Sequence, residues 1–348
     1  RPSPQIPPSP QRRLGSKQTC HCFAVFSSAW MPAFAGMTTE GASSPVAEAR
    51  TAGQNREMRL PIDRLLAFLA AILLSCAVAS AAWAEPPLRV MTFNVRLPLA
   101  SDGANSWEHR REFAARMIAA GKPDIVATQE LHKVQGDYLL EHLPGFAWFG
   151  EGRRGGHEDE HMGLFYRRDR LRLIEVGNFW LSDTPRVPGS ICWGHPYPRM
   201  VTWGLFETKE GNRLYVANTH FPYRPEDDEA RKKAAAQILG WIETLPPAVP
   251  VILAGDFNTE PGSPPHALLT KELQDAWLTA PAREGPDETF DAFTGKPDRR
   301  IDWILTRGFQ PLRVETVTTN QGGRYPSDHF PVIAELAWLE TEGDEPAR

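Results

Sequence analysis

The chain is poor in cysteine and carries no surplus of positive charge, and both shortages narrow what it can be. Only four of its 348 residues are cysteines, and three of them (Cys20, Cys22 and Cys76) precede residue 85, which leaves Cys192 alone in the rest of the sequence. No intramolecular disulfide can staple that portion, so its fold rests on a hydrophobic core. Cys20-His21-Cys22 falls short of the four suitably spaced ligands of a structural zinc site. Thirty-eight Lys and Arg against 43 Asp and Glu give a formal net charge of −5, so the chain as a whole is no basic nucleic-acid binder. No internal repeat is visible either. Apolar residues are not scarce: 41% are hydrophobic, with 11 Trp and 17 Phe, which excludes a mainly disordered or collagen-like chain. The length suits two average domains or one large α/β domain.

The sequence is not of one kind from end to end. Residues 1–57 are rich in Pro, Ser, Ala and Gly and lack periodic apolar positions. They read as a disordered tail or as a leader translated from a misplaced start; the string WMPAFAGMT (30–38) looks like translated repeat DNA. Met58 opens a second kind of sequence: two arginines, then an uncharged run from Leu65 to Ala84 ending in Ala82-Trp83-Ala84. A basic start, an apolar centre and a small-x-small ending read as a signal peptide over 58–84. An uncleaved anchor is the competing reading, since about 20 apolar residues can span a bilayer; lipoprotein processing at Cys76 is another. The expectation is a secreted or periplasmic protein whose folded part is 85–348, with no stable membrane span after cleavage. Removing residues 1–84 leaves 30 basic and 39 acidic residues, a net charge of −9.

From Leu88 onward, strand-like and helix-like segments alternate. Strands are expected at 88–95, 124–129, 163–167, 171–181, 200–207, 213–219, 249–254, 301–306, 312–318 and 330–338. Helices are expected at 107–120, 134–143, 228–245 and 265–277. Tight turns between several strands make the sheet arrangement mixed. The pattern predicts one α/β domain of about 260 residues, two sheets packed together with helices outside.

Polar residues gather at the ends of these apolar strands: Asn94, Glu130, Asn218 with His220, Asp256 with Asn258, Asp302, and Asp328-His329. One such residue is ordinarily a cap or turn former; six strands ending this way point to a shared site. Unpaired buried carboxylates are costly, so a cluster of Asp, Glu and Asn at one sheet edge meets a hard cation, Mg²⁺, Mn²⁺ or Ca²⁺. Two histidines added to such a set suggest proton transfer or phosphate stabilisation, hence metal-assisted attack of water on phosphorus.

TFNVR (92–96), ATQE (127–130), NTHF (218–221), GDFNT (255–259), RRIDWIL (299–305) and SDHFPV (327–332) resemble, in order, the endonuclease/exonuclease/phosphatase family. That family includes deoxyribonucleases, sphingomyelinases, inositol-polyphosphate phosphatases and nocturnin-like deadenylases. The resemblance implies a four-layer α/β sandwich, two mixed β-sheets packed face to face with helices outside. It places Glu130 and Asn94 at a metal, with Asp328 beside it. Asp256 would orient or deprotonate the attacking water, and His329 would pair with Asp302. His220 would be a second imidazole partnered by Glu160, with Glu158 as the rival. Asn258, Arg199 and Asn218 would hold the phosphate; for Arg199 a surface ion pair is the alternative. The segment around 178–203 resembles an exported bacterial subgroup.

Other candidates read as ordinary. His132 and His195 are expected at the surface or in loops, the pairs Arg153-Arg154 and Arg299-Arg300 in solvated turns, and Phe179, Trp180, Trp193 and Trp203 in core or rim packing. The leading expectation is a metal-dependent phosphoesterase with a phosphate-ester substrate and no obligate protein partner. A non-specific nuclease is not favoured by the charge, and no segment is apolar enough to argue a sphingomyelinase-type phospholipid phosphodiesterase. A small phosphoester fits by elimination. A non-catalytic binding module predicts losses among Asp256, Asn258, Asp302, Asp328 and His329; all are present.

Overall fold

Period-two alternation in β1 (Leu88–Asn94) already fixes the layering. Leu88 and Val90 enter one apolar cluster, while Met91 and Phe93 enter another on the opposite side of the strand. The structure, a computed structural model, describes residues 85–339, all within one compact unit. The expected leader and signal peptide lie outside the described residues. No helix among the described residues is long and apolar enough to cross a membrane.

The helices are α1 (Trp107–Gly121), α2 (Lys133–His142), α3 (Asp228–Glu243), α4 (Pro264–Leu269) and α5 (Ala276–Thr279). The strands after β1 are β2 (Ile125–Leu131), β3 (Phe146–Phe149), β4 (His161–Arg167), β5 (Leu171–Trp180), β6 (Met200–Thr208) and β7 (Arg213–His220). They continue as β8 (Val251–Asp256), β9 (Gln274–Asp275), β10 (Ala282–Glu284), β11 (Asp302–Arg307), β12 (Phe309–Thr316) and β13 (Val332–Trp338). One sheet has the order β10-β12-β13-β1-β2-β4-β3 and the other β5-β6-β7-β8-β11-β9. Both are mixed: β1–β2, β10–β12 and β7–β8 are parallel, whereas β1–β13 and β8–β11 are antiparallel.

Three apolar clusters join four layers. Val90, Ala127 and Ala334 of the first sheet meet Val216, Ile252 and Ile304 of the second. Phe113, Met117 and Ile118 of α1 cover the outside of the first sheet, and Ala234, Ile238 and Ile242 of α3 cover the outside of the second. The expected four-layer sandwich is the fold found.

Local readings differ in places. The single helix expected over 265–277 is divided into α4, β9 and α5. Asp275 causes the break: its carboxylate accepts from the Trp277 and Leu278 N–H groups and starts a new helix, while β9 pairs with β11. The short edge strands β3 and β10 carry too few residues for a periodic signal. At the other end of the scale, Trp303 is fully buried and stacks on Phe257 with ring centroids 4.3 Å apart. Truncating such a side chain to alanine costs about 3–5 kcal/mol, so this stack firmly seats the residues just before each ring, Asp256 and Asp302.

Candidate active site

Strand register assembles the site. His220 lies beside Asp256 across the parallel pair β7–β8, and Asp302 lies opposite Asp256 across the antiparallel pair β8–β11. Alternation turns all three toward the layer between the sheets, because Val216, Ala254 and Ile304, an even number of residues away, point into the inter-sheet core. Asn94 reaches the same layer from β1: its Nδ2 donates to Asp256 Oδ2 at 3.0 Å and to Glu130 Oε1 at 3.2 Å.

Glu130 cannot get there by alternation alone. It adopts φ +56° at a register shift in the β2–β4 pairing, a backbone state that few non-glycine residues take. Its Oε2 accepts from the Leu97 N–H at 3.0 Å. Asp328 arrives on the loop before β13, where the Ser327 hydroxyl donates to the Asn94 carbonyl at 2.6 Å and so ties that loop to the end of β1. Asp328 Oδ2 lies 3.5 Å from Arg96 Nη1.

Two imidazoles flank Asp256. His220 Nε2 is 3.4 Å and His329 Nε2 is 3.8 Å from Asp256 Oδ2. On its far side His329 Nδ1 is 2.9 Å from Asp302 Oδ2, and His220 Nδ1 is 3.8 Å from Glu160 Oε2. Glu158 is exposed on the preceding turn, so the geometry selects Glu160 as the partner. The two rings are electrically unlike. Burial opposes charging of His329, but the carboxylates of Asp302 and Asp256 outweigh it and lift the ring to about 10. His220 is pushed well below the ordinary value by burial and by Arg199 and Arg153. Burial and the Asp302 charge push Asp256 up to about 7. Burial likewise raises Glu160 to about 7 against the pull of Arg199.

Asp256, His220, His329 and Glu160 line a cavity of about 410 Å³ together with Glu130, Asp328, Asn258 and the guanidinium groups of Arg96, Arg153, Arg199 and Arg299. Arg199 is buried and lies 3.7 Å from Glu160 Oε2, so it is no surface ion pair. Asn258 adopts φ +49°, and its backbone N–H donates to Asp256 Oδ1 at 3.0 Å.

Two expected site residues sit elsewhere. Asn218 is fully buried between the sheets, its amide donating to the Thr128 and Gly163 carbonyls at 2.7 and 3.0 Å and accepting from Gln129 at 2.7 Å. Two residues short of the strand end, it is one side-chain layer too deep to reach a phosphate. Asn94 also lies below the cavity wall: its Oδ1 accepts from the Arg96 N–H at 3.0 Å and its N–H groups face two carboxylates, so it orients Glu130 and Asp256.

Further corrections concern residues read as ordinary. Arg153 is buried and binds Glu160 at 2.8 Å and Asp159 at 3.0 Å. Arg300 is buried against Asp275 at 2.7 Å. His195 is buried, its Nδ1 donating to the Tyr197 carbonyl at 2.7 Å. His132 is partly buried at the start of α2, and Arg154 and Arg299 are exposed. Tyr197, Tyr223 and Phe290 also stand in the cavity wall; single aromatics in loops carry no sequence signal of a wall.

The donor set fits a hard cation. Among the described residues, Asp256, Asp302 and His329 bring one ligand atom each within 4.8 Å of one another. That triangle is already committed internally: His329 Nδ1 and the Thr289 hydroxyl both bind Asp302 Oδ2. The carboxylates of Glu130, Asp328 and Asp256 all line the cavity, and an all-oxygen set suits a divalent cation of the Mg²⁺ or Ca²⁺ kind.

A two-sheet α/β sandwich with carboxylates, oriented imidazoles and guanidinium groups around one cavity defines a phosphoester hydrolase. Residues 91–329 match the Endonuclease/Exonuclease/phosphatase family, and the chain belongs to it. Among solved structures it is similar to a mannosyl-6-phosphatase of Bacteroides thetaiotaomicron, 32% identical with a TM-score of 0.68, over 72% of this chain and 100% of that one. Among curated proteins it is 30% identical over 171 residues to an uncharacterized protein of Acanthamoeba polyphaga mimivirus, covering 44% of this chain and 60% of that protein. It is 25% identical over 301 residues to nocturnin of Rattus norvegicus, covering 75% of this chain and 68% of that one.

Proposed function

We propose that the protein is an exported, Mg²⁺-dependent phosphoesterase acting on a small phosphate ester. The observation that carries this reading is Asp256 held between two imidazoles of opposite character at the wall of a single cavity. At about 410 Å³ that cavity has the size of a small-molecule site. The guanidinium groups of Arg96, Arg153, Arg199 and Arg299 all line it. The similarity to a mannosyl-6-phosphatase supports a small monoester. Export rests on the residue pattern of 58–84.

Glu130 and Asp328 would hold the ion, with Asn94 fixing the Glu130 carboxylate. When bound, the ion supplies positive charge against the developing negative charge on the phosphate and the leaving group. Asp256 takes a proton from the attacking water as its oxygen bonds to phosphorus. The ester P–O bond breaks, and the alkoxide leaves as the alcohol after taking a proton from solvent. His329, kept charged by Asp302, faces the phosphate as a fixed hydrogen-bond donor, and Asn258 and Arg199 bind further phosphate oxygens. His220 stays neutral and sits between the Glu160 and Asp256 carboxylates.

The test is an assay of the purified protein against sugar phosphates, nucleotides, inositol phosphates, sphingomyelin, RNA and DNA, each with and without Mg²⁺. Phosphate release from a small ester only when Mg²⁺ is present is expected. Turnover confined to nucleic acid, or full turnover in chelator, would overturn the proposal. N-terminal sequencing of the exported protein checks for a start at Glu85.

A further inference from the structure

We propose that Tyr197 and Tyr223 form a sugar platform at the mouth of the cavity, so that the organic part of the phosphate ester is a pyranose ring. The inference rests on the phosphoesterase reading of that cavity and gives its substrate class, a sugar phosphate. Both tyrosines line the cavity, yet they remain 39% and 52% exposed. Their rings lie 26° from parallel with centroids 6.4 Å apart, a stacked pair at the cavity mouth.

Exposed aromatic rings on loops are ordinarily loose; these are held. The Tyr197 carbonyl accepts from buried His195 Nδ1 at 2.7 Å, and the Arg153 guanidinium carbon sits 4.7 Å from the Tyr197 ring centroid. Tyr223 is flanked by Pro222 and Arg224, whose carbonyls both accept from Nη1 of buried Arg231 at 2.8 Å. Arg224 Nη2 donates to the Gly194 carbonyl at 2.8 Å, which joins the loop carrying Tyr197 to the segment carrying Tyr223. Neither ring is needed for core packing, so this anchoring serves a surface kept ready for a ligand.

The polar groups beside the platform favour a polyhydroxylated ring. Arg153 Nε and Glu160 Oε2 are buried with no hydrogen-bond partner among the described residues, and both side chains line the same cavity. One is a donor and the other an acceptor, which matches hydroxyl groups that can act as either. A pyranose brings such hydroxyls together with an apolar C–H face for the tyrosines. A nucleobase also offers a flat face, but its edge carries fixed donors and acceptors in the ring plane and no hydroxyl that can serve as either. The mannosyl-6-phosphatase among the similar structures agrees with this class.

The test compares Tyr197→Ala, Tyr223→Ala and the double variant with Tyr197→Phe and Tyr223→Phe, on hexose 6-phosphate, ethyl phosphate and nucleoside 5′-monophosphate. The alanine variants should raise KM for hexose 6-phosphate about tenfold or more, the scale of one lost ring–aromatic contact, with kcat nearly unchanged and ethyl phosphate unaffected. The phenylalanine variants should retain most of the affinity. A KM rise of equal size on all three esters, or one confined to the nucleotide, would overturn the proposal. Saturation-transfer NMR with hexose 6-phosphate in EDTA reads the platform without turnover. Ring-proton contacts present in the wild type and absent from the double variant support it even if no ester is hydrolysed, an outcome that would defeat the phosphoesterase reading alone. Ring-proton contacts unchanged in the double variant would sink the platform.

Discussion

His329 Nδ1 lies 2.9 Å from Asp302 Oδ2, and the Thr289 hydroxyl donates to that same oxygen at 2.6 Å. The Asp302 carboxylate is therefore fixed before it orients the ring, and the imidazole's other nitrogen is aimed toward Asp256. Asp302→Asn keeps the shape but removes the charge that favours imidazolium. The rate constant on a phosphate ester should fall by about 10²–10⁴-fold, the range for losing a positioned acid–base group. A variant within threefold of wild type would show that the pair is structural only.

Asp256 occupies the one position where both imidazoles and the Asn94 amide converge. Asp256→Ala and His329→Ala should each lower the turnover rate by at least about a hundredfold. The two losses should not multiply in the double variant, because groups acting on one transition state are not independent. If both single variants hydrolyse the ester at wild-type rate in Mg²⁺, the assignment is wrong.

Asn94 Nδ2 donates to Glu130 Oε1 at 3.2 Å, and Glu130 is the carboxylate proposed to hold the ion. Chelation with EDTA should abolish turnover and added Mg²⁺ should restore it. Asn94→Ala frees the Glu130 carboxylate from one of its two hydrogen-bond donors, Leu97 N–H being the other. Removing an outer partner of a metal ligand ordinarily weakens metal affinity about 10–100-fold. Titration calorimetry with Mg²⁺ should show that weakening; unaltered affinity would mean that the ion is held elsewhere.

What the sequence made legible follows from period-two geometry. Val216 and His220, Ala254 and Asp256, and Ile304 and Asp302 are each separated by an even number of residues, so an apolar inter-sheet face ending in a polar residue already announces a shared rim. The same geometry does not give depth. Asn218 shares the face of His220, but lies two residues farther from the strand end and is consumed by backbone carbonyls of the other sheet. Glu130 was legible as the polar residue ending its strand, but not how it reaches the cavity, because that turn depends on a positive φ at a register shift. Arg153 was hidden by its neighbours: two arginines before two glycines look like a solvated turn, and only the fold brings Glu160 to one of them. The division of 265–277 had the same cause in part, since besides capping Trp277 and Leu278 locally Asp275 is bound by His266 and Arg300, 9 and 25 residues distant.

That Asp275 carboxylate gives a stability prediction away from the active site. Burial alone would raise its pKa, but hydrogen bonds from His266 and Arg300, with the Arg300 charge, outweigh burial and hold it below the ordinary 3.8. A carboxylate depressed in the folded state is stabilising above its unfolded value, and that contribution is lost as the pH falls through the folded one. The thermal midpoint of the wild type should thus drop between about pH 5 and pH 3 faster than that of Asp275→Asn, which cannot titrate there. The variant should also be less stable at pH 7 by about 3–5 kcal/mol, because Arg300 is buried and loses its partner. Calorimetric scans in metal-free buffer separate this from the active-site carboxylates, which both proteins retain. Midpoints that fall in parallel would show that Asp275 adds nothing to the acid sensitivity of the fold.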